Sequence, residues 1–414
     1  MLSRVKIRKQ NLGKYKKIIS KPLFLKIQKS VKNLKGLKII HVNSTFKGGG
    51  VAEVLKGLVS LMKGIGLKAS WHIIPPKEEF FKITKQIHNA LQGKKNHFPE
   101  SFKKKYLEYI KETSKLMKKM KADIWVLHDP QPAGLVDFIN SPVKISRIHI
   151  DSSNPDIKVW NFMSNFLLKF DKTIFSAKEF VKKDIPKEKT VIFPPAINPF
   201  TEKNIFLSLK TAKSILENFG INPQKPLIVQ IARFDPFKDP VGVVGAYRLA
   251  KKKIPNLQLV FAGLFLADDD PEAAKIFKEV RKEVKKDKDV FLFSDPARLG
   301  SLSVDRFVNA CQTGADVVLQ KSTKEGFGLS VTEAMWKSKP VIGGKAGGIK
   351  LQIENGRNGF LVGNPKEAGR RIVQLLEDKK LRERFGREAE KTVRQKFLMP
   401  RLLHDYLKLF NQLL

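Results

Sequence analysis

Short apolar runs alternate along the chain with longer segments in which apolar residues recur every three or four positions. A short run predicts a strand buried on both faces, and a longer periodic segment predicts an amphipathic helix. The alternation therefore predicts two parallel sheets with helices on both faces, an α/β architecture. The predicted strands are residues 37–42, 69–74, 123–127, 143–150, 172–176 and 190–193, then 227–231, 258–262, 290–293, 315–319, 340–342 and 359–362.

The two groups of strands predict two domains. A polar helix ends at Gly220 and the second group of strands begins shortly afterwards, so we place the boundary there. This gives a basic N-terminal arm (residues 1–36), an N-terminal Rossmann-like domain (residues 37–220) and a C-terminal Rossmann-like domain (residues 221–394). We expect the last helix, residues 395–414, to kink at Met399-Pro400 and to return to the first domain.

The charge of the chain raises the question of an anionic partner. The 414 residues carry a formal net charge of +39, and the first 35 residues hold twelve Lys and Arg and no acidic residue. Aromatic residues make up only 9% of the chain, and no nucleic-acid-binding module is recognisable. We therefore interpret the lysines as a solvated surface and predict no nucleic-acid partner, although a basic nucleic-acid or membrane-surface protein stays open as the non-enzyme alternative.

The compartment is indicated by cysteine usage and hydropathy. A single cysteine, Cys311, excludes a disulfide framework and is typical of a reducing cytoplasm. No apolar run is long enough to cross a membrane, and lysines interrupt any export signal. We expect a cytoplasmic protein without membrane insertion.

Glycine-rich corners follow three of the predicted strands and each precedes a helical pattern. At the first corner, residues 48–50, the spacing is neither that of a phosphate-binding P-loop nor that of a dinucleotide-binding GxGxxG motif, and a turn without a ligand is the competing interpretation. Glycines let backbone N–H groups approach an anion, and the N-terminus of the following helix adds a favourable dipole. The corners therefore predict close approach to a ligand; they are residues 48–50 (GGG), 325–329 (EGFGL) and 343–348 (GGKAGG).

Charged side chains near these corners suggest what the ligand is. Arg233 and Lys238 follow a predicted strand, and together they could neutralise a diphosphate. Glu325 lies in the second corner, where a carboxylate can hold sugar hydroxyls. Glu333 could reach a ribose, but Ser330 three residues earlier also fits a capping box at the start of a helix.

His149 and Asp151 end another predicted strand, and alternation places both on one face of an extended segment. A hydrogen-bonded core pair is the competing interpretation. The remaining histidines have no metal-binding spacing, so we predict no protein metal site. No nucleophile motif is present either.

These residues together resemble a retaining GT-B glycosyltransferase of family 4, over nearly all of the chain after about residue 37. Within that family the chain is most similar to the trehalose synthases that transfer glucose from a nucleotide sugar to free glucose. Three further segments carry this narrower resemblance: residues 128–132 (HDPQP), 147–151 (RIHID) and 230–235 (QIARFD).

The resemblance implies two Rossmann-like domains facing a cleft, with the donor on the C-terminal domain and the acceptor on the N-terminal domain. It implies catalytic roles for His149, Arg233, Lys238 and Glu325. It places Asp129, Gln131 and Asp151 at the acceptor. The implied donor-binding residues are Gly49, Gly50, Arg233, Lys238, Glu325, Gly326, Phe327, Gly328, Leu329 and Glu333.

The implied reaction is transfer of glucose from ADP-, UDP- or GDP-glucose to free glucose, with retention, to give α,α-trehalose. The reverse direction would start from trehalose. We expect no cofactor bound by protein residues, and Mg²⁺ at most as the counter-ion of the nucleotide sugar. The oligomeric state stays open, a homodimer included.

One departure from the family pattern concerns the third corner. Many members carry an acidic residue shortly after Gly-Gly-Ile, whereas here Gly347-Gly348-Ile349 is followed by Lys350-Leu351-Gln352. A borrowed role for this corner is therefore in doubt. A trehalose phosphorylase, or another family 4 hexosyltransferase with a sucrose-like or polysaccharide product, remains an alternative.

Overall fold

The chain folds into two compact α/β units. The computed structural model describes residues 1–95, 97–263 and 271–414. One unit comprises Met1–Ile197 together with Phe397–Leu414, and the other comprises Asn198–Lys396. The boundary therefore lies at Ile197, and the predicted boundary after Gly220 is wrong. The helix that ends before Gly220 packs on a helix of the second unit, which is why it belongs there.

In the first unit, the described strands form one sheet in the order β1-β3-β2-β4-β5-β6-β7. Strand β1 pairs antiparallel with β3, and every other pairing in this sheet is parallel. The strands are β1 (Ser3–Val5), β2 (Lys38–Asn43), β3 (Lys68–Ile73), β4 (Ile124–His128), β5 (Val143–Arg147), β6 (Lys172–Phe175) and β7 (Thr190–Ile192).

The helices of this unit lie between the strands in sequence. They are α1 (Lys21–Ser30), α2 (Gly49–Gly64), α3 (Glu78–Leu91), α4 (Glu100–Lys115), α5 (Pro130–Ala133) and α6 (Ile157–Leu167). The predicted N-terminal arm is thus not a separate segment, because it supplies the edge strand β1 and the helix α1.

In the second unit, the described strands form a parallel sheet in the order β10-β9-β8-β11-β12-β13. The strands are β8 (Leu227–Ile231), β9 (Gln258–Ala262), β10 (Val290–Phe293), β11 (Val317–Gln320), β12 (Val341–Gly344) and β13 (Gly359–Val362). The helices are α7 (Leu209–Glu217), α8 (Pro240–Lys251), α9 (Pro271–Val284), α10 (Val304–Gly314), α11 (Leu329–Trp336), α12 (Gly347–Lys350), α13 (Pro365–Glu377) and α14 (Lys379–Lys396).

Each sheet has a point at which the strand order reverses. In the first sheet β2 lies between β3 and β4, and in the second sheet β8 lies between β9 and β11. In open α/β sheets, ligands bind at the carboxyl ends of the strands beside such a switch point. The topology therefore marks the ends of β2 and β4, and the ends of β8 and β11, as the places to look for chemistry.

The last helix returns to the first unit, as predicted. Helix α15 (Met399–Leu413) packs on α1 and α2, and Ile197 pairs with Leu398 just before the helix begins. The expected kink at Pro400 is instead a break. Helix α14 ends at Lys396, and Pro400 lies in the first turn of α15, where a missing N–H is tolerated.

The central strands form where the apolar runs predict them because they are covered on both faces. All residues of β4 and of β11 are buried. In the described part of the chain, no helix is both long enough and apolar enough to cross a bilayer.

Candidate active site

An ion pair joins the loops that follow β8 and β11, the two strands at the switch point of the second sheet. The Nζ atom of Lys238 lies 2.5 Å from Oε2 of Glu325. The same oxygen accepts a hydrogen bond from the hydroxyl of Ser322 at 3.3 Å. The Glu325 side chain is only 10% exposed and that of Lys238 is 21% exposed, so the pair is largely desolvated. The structure thus brings these two predicted residues together.

Further contacts fix the two loops against each other. The side-chain amide of Gln230 on β8 donates to the backbone oxygen of Lys238 at 2.8 Å. The backbone N–H of Thr323 donates to the backbone oxygen of Phe237 at 2.8 Å. Lys321 forms an ion pair with Asp239, which also caps the N-terminus of α8. A rigid frame therefore surrounds Lys238, which favours a fixed charge over a mobile one.

Arg233 follows the same strand as Lys238 but has a more open environment. Its side chain is 59% exposed, and Nη2 lies 3.6 Å from Oδ2 of Asp235. Asp235 also accepts the backbone N–H of Phe237 at 2.8 Å, which shapes the loop between the two cations. Arg233 thus lies at the predicted edge of the sheet with its charge available to solvent.

The second and third glycine corners are in direct contact. The backbone N–H of Gly348 donates to the backbone oxygen of Glu325 at 3.0 Å. A Cβ atom on Gly348 would lie 2.1 Å from Cα of Phe327, so no larger residue fits without moving the backbone. Gly328 has a φ of 85° and precedes the first residue of α11, Leu329. Glycine is therefore required for packing at Gly348 and for conformation at Gly328.

Gln352, which stands near the position where many family members have an acid, links these corners. Its Nε2 donates to the backbone oxygens of Phe327 at 2.6 Å and of Gly348 at 3.2 Å. Its Oε1 accepts the hydroxyl of Thr332 at 2.6 Å. An amide can satisfy these donors and acceptors at once, whereas a carboxylate could only accept. Sequence reasoning flagged this position but did not predict its role.

The capping-box interpretation of Ser330 and Glu333 is wrong. Gly328 occupies the cap position, and the Ser330 hydroxyl donates to Oε1 of Gln320 at 3.1 Å instead. Glu333 is 3% exposed, and its Oε1 lies 3.7 Å from Nζ of Lys203. Burial lowers the pKa of the neighbouring Lys337 to about 7, against the opposing charge of Glu333. Glu333 on α11 thus belongs to a buried polar cluster with Lys203 and Lys337.

The first glycine corner lies at the end of β2 in the first unit. Gly48 and Gly49 have φ values of 69° and 75°, which residues other than glycine rarely adopt. Gly49 and Gly50 were predicted to lie in the turn, but they are the first residues of α2. Among the described residues, no side chain caps this helix. Its first backbone N–H groups therefore lie at the switch point of the first sheet.

The predicted acceptor residues lie beyond the ends of β4 and β5. Oδ1 of Asp129 accepts the backbone N–H of His149 at 2.8 Å. Loss of hydration raises the pKa of Asp129 to about 7, although this hydrogen bond and the charge of Arg147 act in the opposite direction. Gln131 lies on the short helix α5, two residues further along the chain. The structure thus brings Asp129 and His149 together.

Contrary to the prediction from the sequence, Asp151 and His149 do not end a strand together. Strand β5 ends at Arg147, so the two residues do not share the face of an extended strand. Oδ1 of Asp151 accepts the backbone N–H of Ser153 at 3.0 Å and its hydroxyl at 2.5 Å. Asp151 therefore shapes its own turn, and the competing core-pair interpretation with His149 is wrong as well.

Two histidines to which the sequence analysis gave no role, His128 and His41, extend from His149 into the sheet. Nε2 of His149 lies 2.9 Å from Nδ1 of His128, and Nε2 of His128 lies 3.0 Å from Nδ1 of His41. The only signal that could have found them was the order of the strands, because the three residues are far apart in sequence. Among the described residues, no cluster of His, Cys, Asp or Glu has the composition of a metal site.

Comparison with known proteins agrees with this architecture. A family model described as "Trehalose synthase, N-terminal domain" matches residues 41–182, and one described as "Glycosyl transferases group 1" matches residues 211–392. The solved structure of sucrose-phosphate synthase from Thermosynechococcus elongatus superposes with a TM-score of 0.70, at 15% identity, over 91% of this chain and 99% of that chain. The chain is a glycosyltransferase with the GT-B fold.

Sequence similarity over the full length of the chain identifies the family within the glycosyltransferases. The trehalose synthase of Thermococcus litoralis is 42% identical over 97% of this chain and 97% of its own length. The trehalose phosphorylase of Grifola frondosa is 28% identical over 90% of this chain but only 57% of its own length. The chain belongs to the trehalose synthase family. It is therefore an enzyme, and the non-enzyme alternative is no longer supported.

Proposed function

We propose that this enzyme transfers glucose from a nucleoside-diphosphate glucose to free glucose and forms α,α-trehalose with retention of configuration. The observation that carries the proposal is the Lys238–Glu325 pair at the switch point of the second sheet, 2.5 Å apart. A cation and a carboxylate side by side suit a ligand that carries a diphosphate and a sugar. The similarity to trehalose synthases supports the choice of product.

Lys238 and Arg233 act on the leaving group in this proposal. As the bond to the sugar breaks, negative charge builds on the departing diphosphate, and fixed positive charge stabilises it. Lys238 is already held in place by Glu325 and by the frame of its loop, so little reorganisation is needed. Arg233, with its exposed guanidinium, can take phosphate oxygens in a bidentate manner.

Glu325 and the glycine corner hold the transferred glucose. Oε2 of Glu325 is occupied by Lys238 and Ser322, and the carboxylate directs its remaining acceptor capacity to sugar hydroxyls. The start of α11 at Gly328 and Leu329 offers backbone N–H groups. In the first unit, Asp129, Gln131 and Asp151 face the acceptor glucose, and His149 lies beside the reacting sugar.

Retention in this proposal needs no covalent intermediate. The acceptor hydroxyl approaches the face that the diphosphate leaves, and the leaving phosphate takes its proton. The one cysteine of the chain, Cys311, is fully buried in α10, and burial raises the pKa of its thiol. It is therefore unsuited to act as a nucleophile.

Product analysis tests the proposal. The purified enzyme is incubated with ADP-, UDP- or GDP-glucose and with glucose labelled at the anomeric carbon, and the products are separated and analysed by NMR. We expect α,α-trehalose and the matching nucleoside diphosphate in equal amounts. Release of free glucose only, or a product with a β linkage, would refute the proposal.

A phosphorolytic reaction is the second candidate, because the trehalose phosphorylase of Grifola frondosa matches 90% of this chain. In this reaction inorganic phosphate takes the place of the nucleoside diphosphate. Incubation of the enzyme with trehalose and phosphate, without any nucleotide, would then yield glucose 1-phosphate. We expect no such product, and its formation at a rate matching nucleotide-dependent transfer would favour the phosphorylase.

A further inference from the structure

Three histidines form a hydrogen-bonded chain across the switch point of the first sheet. His41 lies on β2, His128 at the end of β4 and His149 just beyond β5, and these strands are neighbours. The ring centroids are 5.3 Å apart at each step. The nitrogens that face each other are 3.0 Å apart in the first step and 2.9 Å apart in the second. We call this set the histidine chain.

The register of the strands explains why the rings line up. His41 pairs with Val126, and His128 lies two residues further along β4. In the same way, His128 pairs with Arg147, and His149 lies two residues further along the backbone. Because side chains alternate between the faces of a sheet, the step of two residues from Val126 to His128 keeps the ring of His128 on the face of His41. The ring of His149, just past the end of β5, is placed by its contact with His128, in which the facing nitrogens are 2.9 Å apart. The histidine chain thus advances towards the carboxyl edge of the sheet.

All three rings are neutral in the folded protein. Burial lowers the pKa of His41 to about 3, and burial also holds the pKa values of His128 and His149 well below their usual range. The positive charge of Arg147 acts in the same direction on His128 and on His149. A neutral imidazole has one N–H donor and one acceptor nitrogen. The hydrogens along the chain must therefore all point the same way.

The inner end of the chain determines that direction. Nε2 of His41 is buried and has no hydrogen-bond partner among the described residues, and the rings of His41 and Tyr406 form a T-shaped pair with centroids 6.3 Å apart. A hydrogen on this nitrogen would be a buried donor without an acceptor, which is rare and unfavourable in proteins. The hydrogen of His41 therefore resides on Nδ1, from which it is donated to Nε2 of His128.

The tautomer of His41 in turn determines the tautomers of His128 and His149. With its Nε2 occupied as an acceptor, His128 carries its hydrogen on Nδ1 and donates it to Nε2 of His149. His149 must in turn carry its hydrogen on Nδ1. His149 is only partly buried, and within the described residues its Nδ1 has no hydrogen-bond partner. This N–H is therefore the open end of the chain.

We propose that His41 and His128 are positioning residues that hold the ring of His149 in the tautomer with hydrogen on Nδ1, so that it offers a donor to an oxygen of the bound sugar. The backbone of His149 is fixed independently by Asp129. The ring is thus oriented by the histidine chain and the main chain by a carboxylate. In this arrangement His149 acts as a hydrogen-bond donor and not as a general base.

The tautomers can be measured without any variant. The full chain is produced with ¹⁵N-labelled histidine, and the ring nitrogens of its seven histidines are observed by NMR near neutral pH. We expect His41, His128 and His149 each to carry hydrogen on Nδ1 and none on Nε2. Hydrogen on Nε2 of His149 in this protein would overturn the proposal.

A variant tests whether the tautomer is transmitted. His128→Phe keeps a ring in the chain but removes both of its nitrogens, so His149 is expected to exchange between two tautomers. His88→Phe is the matched control, since His88 is a partly buried histidine on α3 outside the chain. An unchanged His149 spectrum in folded His128→Phe would show that another group sets the tautomer and would overturn the positioning role.

A kinetic measurement adds a functional readout, and this part alone rests on the proposed glucosyl transfer. If two tautomers become equally populated, kcat of His128→Phe falls by at least about two-fold through loss of the competent form, with little change in the donor KM. Wild-type kcat together with a mixed tautomer would refute the functional role of the donor. Because the NMR result needs no turnover, failure of the proposed reaction and failure of this inference can be told apart.

Discussion

The Lys238–Glu325 pair makes a quantitative prediction for the second unit. Lys238→Met keeps most of the apolar part of the side chain and removes its charge, which leaves the carboxylate of Glu325 with the Ser322 hydroxyl at 3.3 Å. Removal of one partner from a buried pair costs about 3–5 kcal/mol. Because Lys238 is 21% exposed and Glu325 10% exposed, water screens part of this loss. We expect a decrease of about 2–3 kcal/mol in the free energy of unfolding.

A double-mutant cycle separates the pair from its surroundings. Glu325→Gln removes the other charge, and the double variant leaves neither charge without a partner. We therefore expect the double variant to lie within about 1 kcal/mol of the wild type, with a coupling energy of at least about 1 kcal/mol between the two sites. Urea denaturation of the four proteins measures this energy. A coupling energy below about 0.5 kcal/mol would refute a desolvated pair.

The activity of Lys238 variants is predicted to depend on the charge at this position and not on the stability of the variant. If Lys238 stabilises the departing diphosphate, Lys238→Met raises the barrier by about 2–4 kcal/mol, which is a loss of roughly 30- to 1000-fold in kcat/KM. Lys238→Arg keeps the charge and should lose much less. Both are assayed as transfer from nucleotide glucose, under conditions in which each variant is fully folded.

A second ion pair in the same unit supplies the control. Nζ of Lys225 lies 2.9 Å from Oδ1 of Asp289, with side-chain exposures of 36% and 21%. Lys225→Met is expected to cost less than about 1 kcal/mol and to leave kcat/KM unchanged. Wild-type kcat/KM in folded Lys238→Met would remove this lysine from the mechanism, whatever its effect on stability.

Three further predictions concern buried polar groups. Gln352→Glu places a carboxylate against the backbone oxygens of Phe327 and Gly348 and should lower the free energy of unfolding by at least about 2 kcal/mol. Urea denaturation should show a larger loss for this variant than for Gln352→Met, and equal losses would contradict the prediction. Asp129 keeps its proton up to about pH 7 in the folded chain but ionises near pH 4 when the chain is unfolded. Its contribution to the free energy of unfolding is therefore present at low pH and declines by up to about 1.4 kcal/mol per pH unit as the pH rises between these values. Asp129→Asn should flatten this part of the plot of unfolding free energy against pH. Burial lowers the pKa of Lys337 to about 7, so between pH 7 and pH 10 this side chain binds fewer protons in the folded chain than in the unfolded chain. The free energy of unfolding of the wild type should therefore rise with pH over this range, and that of Lys337→Met should rise less.

Much of the fold was predictable because the strands are buried on both faces. The apolar runs at residues 227–231, 258–262, 290–293 and 359–362 coincide with β8, β9, β10 and β13. The short edge strand β1 was not predictable, since three residues that pair with one neighbour carry no periodic signal. The unit boundary was misplaced because α7 is as polar as a linker, although Pro194-Pro195 close to Ile197 was a usable mark.

The site was predictable only where local sequence sets the geometry. Lys238 and Glu325 meet because each follows a strand, and residues after neighbouring parallel strands lie at one edge. The histidine chain depends on strand order and register, which the spacing of residues along the chain does not contain. The role of Gln352 depends in turn on the close approach of two glycine corners, which is a property of packing.

The contrast between the two switch points supports the division of labour in the proposed reaction. At the ends of β8 and β11 lies a desolvated pair of opposite charges, beside an exposed arginine. At the end of β4 and just beyond β5 lie the neutral rings of His128 and His149, and the buried guanidinium of Arg147 is directed to Phe175 and Ser176. A diphosphate needs fixed positive charge when it leaves water, whereas an uncharged sugar needs only matched donors and acceptors. The electrostatics of the two units therefore differ in the way that the proposed reaction requires, with fixed positive charge in the second unit and matched neutral groups in the first.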